Sequence, residues 1–76
     1  MRLSEIKPGT KVKIVRMAEA PPVLKRRLLD MGVLSGEPLL VERMAPLGDP
    51  IEIKIKGYRL SLRREEAEKI LVEVIP

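Results

Sequence analysis

The sequence predicts one mainly β domain over residues 1–76, a small closed or nearly closed antiparallel barrel of about five short strands. Two observations predict this class. Apolar and charged residues alternate in several short stretches, most clearly where Ile51, Ile53 and Ile55 are separated by Glu and Lys. Only one stretch between these strands, 22–31, has a clear helical period. A closed sheet would also remove the exposed edges of so short a chain.

The helix inserted between the strands has signals at both ends. Pro22 fits its first turn, because proline has a preset φ and lacks an N–H that the helix could not pair there. Gly32 fits the left-handed position that commonly closes a helix. Steps of ~100° per residue place Leu24, Leu28 and Met31 on one stripe, which we expect to be buried.

Leu29 lies about 140° from the first leucine of this stripe, so we expect it to be half exposed. A neighbouring loop could cover it, or it could be a partner-contact residue flanked by Lys25 and Arg26. The loop at 44–50 is dense in turn-forming residues and is the most mobile loop we predict. Its apolar tip, Leu47, is a second expected contact residue.

The other predicted elements are a turn at 1–10 that plugs one end of the barrel, strands at 11–18, 39–44, 51–55, 58–62 and 70–75, and a short helix near 64–69. Val12 and Ile14 share a face of the first strand, but Val15 leaves its register open. Residues 56–57 form either a tight turn or a glycine bulge. Tyr58 is expected to point inward.

The composition argues against catalysis. The chain has no Cys and no His, and therefore lacks the usual nucleophile, the base that titrates near neutral pH, and the soft or imidazole metal ligands. Asp49, Glu52 and Glu42 carry the oxygen ligands that a hard cation would use, although no dedicated spacing joins them. The five glycines are isolated, so neither glycine-rich phosphate fingerprint is present. We therefore expect no enzyme activity and no cofactor.

The charge and hydropathy of the chain indicate where it acts. No apolar run approaches the ~20 residues of a membrane span and no signal-type segment follows Met1, so we expect a cytoplasmic protein.

The formal net charge of the chain is +4. Four basic residues alternate onto the polar side of one predicted hairpin: Lys54, Lys56, Arg59 and Arg63. A small basic barrel that binds nucleic acid is therefore an alternative function, although such modules usually add stacking aromatics and this chain has only Tyr58.

Three stretches occur in a specific order: LSEIKPG near the start, RLLDMGVLSGEPL at 27–39, and APLGDPIEIKIKGYRLSLRREEAEKILV at 45–72. Together they resemble the FeoA family over essentially the whole chain. The positions that carry the resemblance include Arg27, Leu28, Met31, Gly32, Gly36 and Gly57. Core packing and turn geometry account for many of these positions, so the motif does not itself identify a contact surface.

The resemblance implies an SH3-like β-barrel with a helical insertion, the module that also forms the C-terminal domain of DtxR-type iron-dependent repressors. It implies a cytoplasmic accessory role in ferrous iron uptake, through contact with the GTPase domain of a FeoB-type transporter. The membrane would be reached only through that transporter. We expect a free-standing protein rather than a regulator. The family is also associated with transition-metal binding, but without Cys or His we expect no tight metal site.

Overall fold

The computed structural model describes all 76 residues, and its elements follow the predicted order. A 3₁₀ turn (Leu3–Glu5) is followed by β1 (Lys11–Arg16), α1 (Pro22–Asp30), β2 (Pro38–Met44), β3 (Ile51–Ile55), β4 (Tyr58–Leu62), α2 (Arg64–Ala67) and β5 (Leu71–Val74). α1 ends one residue earlier than predicted and α2 two residues earlier. Neither helix has the length and apolar character needed to cross a membrane.

The five strands form one antiparallel sheet in the order β4-β3-β2-β1-β5. β4 and β5 are its two edges and are not hydrogen-bonded to each other, so the barrel is open along this seam and α2 connects its two sides. Register shifts after Ile14 in β1 and after Val41 in β2 mark bulges, which bend and twist strands. The sheet is thus the nearly closed form of the prediction.

The interior is entirely aliphatic. Seventeen residues are buried, all of them Leu, Ile, Val or Ala, and no polar or charged residue is among them. The turn at the start of the chain contributes Leu3 and Ile6 to this core, and the Leu3 N–H donates to the Ile70 carbonyl at 2.9 Å. In so small a domain nearly every element supplies part of one continuous core.

β1 resolves the register that the sequence left open. Val12 and Ile14 are buried, whereas Val15 is exposed. Strict alternation after Ile14 places Val15 on the outer side, and the bulge between Ile14 and Arg16 breaks the alternation only at Arg16, which is exposed as well.

The β3–β4 hairpin has a two-residue turn rather than a glycine bulge. Lys56 and Gly57 both have positive φ, 54° and 80°, and Ile55 pairs with Tyr58 across the turn. The inward placement predicted for Tyr58 is wrong, because 60% of this side chain is exposed. Burial increases along β4 through half-buried Leu60 to buried Leu62, since β4 is an edge strand that enters the core only at its end.

Gly32 provides a test of the turn that ends α1. It has a φ of 83°, and its N–H donates to the Leu29 carbonyl at 2.9 Å. A Cβ at this position would meet only the flexible Lys56 side chain, with Cε at 3.6 Å, so there is room for an alanine. The left-handed backbone conformation, however, is unfavourable for alanine. We expect Gly32→Ala to lower the free energy of unfolding by about 1–2 kcal/mol in urea denaturation.

Gly32→Asn is the matched variant, because asparagine tolerates the left-handed conformation better than alanine does. It should retain more of the stability than Gly32→Ala. Equal stability of wild type and Gly32→Ala would contradict the requirement for a left-handed residue at this position.

Candidate protein-contact surface

α1 has one buried side and one solvent-facing side. Leu24 and Leu28 are buried, and Met31, just beyond the last turn, packs partly buried against the core. The Val33 N–H donates to the Leu28 carbonyl at 2.9 Å, which directs the chain back toward the sheet after the helix. The predicted stripe is therefore confirmed, and the remaining sides of α1 face solvent.

Leu29 lies on the solvent-facing side and is 54% exposed, the half exposure that its position on the helix predicts. It lines a shallow surface depression together with Pro22, Lys25, Arg26 and Asp30. No loop buries it, which is the outcome expected of a contact residue rather than of a core residue. We call Lys25, Arg26 and Leu29 the α1 surface.

The basic residues of α1 differ in how they are held. Lys25 is half-buried, and its Nζ donates to the Ala18 carbonyl at 3.0 Å, so it ties α1 to the loop that precedes the helix. Arg26 and Arg27 are exposed, and no carboxylate lies within 4.0 Å of either guanidinium. Of these two unpaired charges, only Arg26 lines the depression beside Leu29, together with Lys25 and Asp30. Arg27 lies about 160° from Leu29 around the helix.

Arg27 belongs to the structural motif of the sequence, and its side chain faces solvent in the structure. We placed it with the structural motif, and its carbonyl does accept the Met31 N–H at 3.1 Å at the end of α1. Its side chain is exposed and forms no hydrogen bond or ion pair, so no contact within the chain requires an arginine here. Steps of ~100° per residue place Arg27 only about 60° from Leu24, at the border of the buried stripe, so its position along the helix gave no signal of this exposure.

The other motif residues have local structural roles. Leu28 packs in the core, and Met31 packs partly buried against it. Gly32, Gly36 and Gly57 all have positive φ, at 83°, 92° and 80°. Turn geometry and packing thus account for these five positions without a partner.

Leu47, the second predicted contact residue, is 89% exposed at the tip of the β2–β3 loop. The loop is held at its base by the Ala45 N–H, which donates to the Pro50 carbonyl at 3.1 Å, and by Asp49, whose Oδ1 accepts the Arg64 N–H at 3.2 Å. None of its hydrogen bonds or ion pairs reaches α1. Leu47 is not among the residues that line the depression containing Leu29.

The basic strip predicted along the hairpin is largely neutralised by carboxylates. Arg59 Nε lies 3.3 Å from Glu42, Lys56 Nζ lies 3.5 Å from Glu37, and Arg63 lies 4.0 Å from Asp49. Lys54 alone in this set has no such partner. Exposed ion pairs contribute little to stability, but they cancel the local charge that a phosphate backbone would need. The alternative of a nucleic-acid-binding barrel receives no support from this face.

The carboxylates considered for a hard cation do not form a metal site. Glu42, Glu52 and Asp49 each face an arginine instead, with Glu52 lying 3.1 Å from Arg43. No three Asp or Glu side chains come together in an arrangement that could hold a metal ion. The residues present therefore do not fit the transition-metal site that the family resemblance implies.

Comparison with known proteins identifies the family. The FeoA domain family matches residues 1–74. The chain is 47% identical over 75 residues to a Porphyromonas gingivalis Fe(2+) transport protein A/Fe(2+) transporter FeoB fusion protein, and the match covers 99% of the chain but only 9% of that protein.

Among solved structures, FeoA from Chlorobium tepidum has a TM-score of 0.91 at 45% identity, covering 100% of this chain and 71% of that chain. Zinc-complexed FeoA from Stenotrophomonas maltophilia, described as a procaryotic SH3 domain protein, has a TM-score of 0.73 at 30% identity, covering 96% and 89%. The IdeR protein of T. acidophilum shares the fold alone, with a TM-score of 0.82 at 19% identity over 99% of this chain and 34% of that chain.

These matches confirm the SH3-like fold that the family resemblance implied. The chain therefore belongs to the FeoA family, which is associated with ferrous iron transport.

Proposed function

We propose that this chain is a cytoplasmic accessory protein of ferrous iron uptake that acts by contacting the GTPase domain of a FeoB-type transporter. The observation that carries the proposal is the fusion protein, in which a segment 47% identical to this chain is part of the same polypeptide as a FeoB transporter. In this role the chain acts by contact, catalyses no reaction of its own and needs no cofactor.

Covalent fusion supports a physical contact for a general reason. Linking two modules raises the effective concentration of each near the other, often to the millimolar range, so even a weak contact is occupied. The tether only keeps the two modules near each other, so the surface of the FeoA-like module must still make the contact. The chain must then present a surface suited to binding.

The α1 surface is the one we propose for this contact. Leu29 offers an exposed apolar anchor, and the basic side chains of Lys25 and Arg26 line the same depression. Interfaces commonly combine an apolar centre with a charged rim, where complementary charges accelerate association. The matching surface on the transporter would be apolar at its centre and acidic at its rim. Leu47, on its separate loop, is the second contact we propose.

The direct test is a titration of this chain with the isolated GTPase domain of the cognate transporter. Calorimetry in the nucleotide-free, GDP-bound and GTP-analogue-bound states should show saturable binding in at least one state. An unrelated small GTPase, titrated in the same way, is the control and should give no heat. No binding in any nucleotide state would contradict the proposal.

A further inference from the structure

β4 presents an open edge of the sheet. A two-residue turn joins it to β3, so the pairs Ile55–Tyr58 and Ile53–Leu60 exchange hydrogen bonds. The alternation of an antiparallel pair then directs the backbone N–H and C=O groups of Arg59 and Ser61 away from β3. No backbone or side-chain group outside the sheet bonds to these two residues. The outer edge of β4 is therefore free to pair with another strand.

The opposite edge of the sheet is covered, at least at its start. The Val72 N–H donates to the Met1 carbonyl at 2.7 Å, and Arg2 pairs with Leu71, so the beginning of the chain lies along β5. β4 has no comparable cover. It also contains no proline and no bulge, which are common devices that keep edge strands from associating.

The side chains of β4 leave this edge accessible. Arg59 reaches back across the sheet to Glu42 on β2, at 3.3 Å, rather than over the edge. On the other side of the strand, Tyr58 is 60% exposed and Leu60 is half-buried. An added strand would cover both of these apolar side chains as well as the free backbone groups.

We propose that a second copy of this chain occupies this edge, pairing antiparallel through β4 about a two-fold axis at Leu60. In this register Arg59 faces Ser61 of the second copy, and the two equivalent pairs supply about four backbone hydrogen bonds. Leu60 faces its own counterpart, and Tyr58 faces Leu62. The interface is isologous, as expected for a closed dimer.

Two other registers, centred on Arg59 and on Ser61, would also pair the outward-facing backbone groups of the two strands. The charge of Arg59 distinguishes the three registers. Centring the pair on Arg59 would place two Arg59 side chains opposite each other, and centring it on Ser61 would place Arg59 opposite Arg63. Like charges directly opposite are destabilising in a sheet. Of these three registers, only the one centred on Leu60 places Arg59 opposite an uncharged residue. A second copy therefore fits the edge in this register without placing like charges opposite each other.

The interface is small, so the dimer should form as the concentration rises rather than at every concentration. Sedimentation equilibrium should show a monomer converting to a dimer. Hydrogen exchange at the Arg59 and Ser61 amides should become at least about tenfold slower over the same concentration range, because both amides are unpaired only in the monomer.

Two substitutions at one exposed position test the register. Ser61→Glu places a carboxylate opposite Arg59 of the second copy and should tighten the dimer, whereas Ser61→Arg should weaken it. We expect their dissociation constants to differ by about tenfold, since two equivalent cross-strand pairs change together. Within one chain Ser61 pairs with Glu52, so the effect on monomer stability runs in the opposite direction.

The dissociation constant of the Ser61→Glu dimer is compared with those of the wild-type chain and of Ser61→Arg. A reversed order of the two dissociation constants would overturn the register. A monomer at all concentrations, with fast exchange of both amides, would overturn the dimer. Protection that appears only when the transporter domain is added would also overturn it, because the edge would then take a strand from that domain. These outcomes do not depend on whether the α1 surface binds the transporter.

Discussion

Replacing Leu28 with alanine is expected to lower the free energy of unfolding by about 2–5 kcal/mol, whereas Leu29→Ala should lower it by less than about 1 kcal/mol. The two leucines are adjacent on α1, but Leu28 is 1% exposed and Leu29 is 54% exposed. A domain of this size has a total stability of only about 4–11 kcal/mol, so the first variant should lose a large fraction of it. Urea unfolding followed by circular dichroism measures both values.

The adjacent pair is its own control, because both substitutions change the intrinsic helix propensity in the same way. A large loss of stability in Leu29→Ala would place that residue in the core and remove it from the contact surface. A small loss in Leu28→Ala would contradict the buried stripe of α1.

Leu29→Glu should weaken binding to the transporter's GTPase domain by at least about tenfold, because it replaces the apolar anchor of the contact with a carboxylate that cannot fill the same pocket. The Tm should remain near that of the wild type, since Leu29 is outside the core. The measurement is the calorimetric titration described above, repeated with the variant in the nucleotide state that binds wild type best.

Val74→Glu is the matched control for this variant. Val74 is another exposed aliphatic residue, but it lies on β5 rather than on α1. It should bind as the wild type does. Equal losses in both variants would point to a general effect of added negative charge, and undiminished binding by Leu29→Glu would move the contact elsewhere.

The local elements were predictable from periodicity because each depends on neighbours in sequence. Alternating isoleucines predicted β3, and the spacing of Leu24 and Leu28 predicted the buried side of α1; both are confirmed. The placement of Tyr58 was not predictable in the same way. Alternation shows on which side of a strand a residue lies, but whether anything covers that side depends on the rest of the fold.

The distribution of free charge also depends on the assembled sheet. Arg59 and Glu42 are seventeen positions apart in the sequence and lie on strands separated by β3, so only the strand order brings them to 3.3 Å. The sequence alone therefore predicted a basic strip along the hairpin. In the structure, three of its four basic residues form ion pairs with carboxylates. The unpaired arginines that remain on α1 could be identified only after the carboxylates had been assigned to their partners.

The most direct test of the proposed contact is to map it on the folded chain. Backbone amide shifts of the ¹⁵N-labelled protein, followed while the unlabelled GTPase domain is added, report which residues meet that domain. Contact through the α1 surface predicts that the largest changes fall within α1, at Pro22–Asp30, with few in β5. Changes confined to other elements, or none at saturating concentrations of the domain in any nucleotide state, would contradict it.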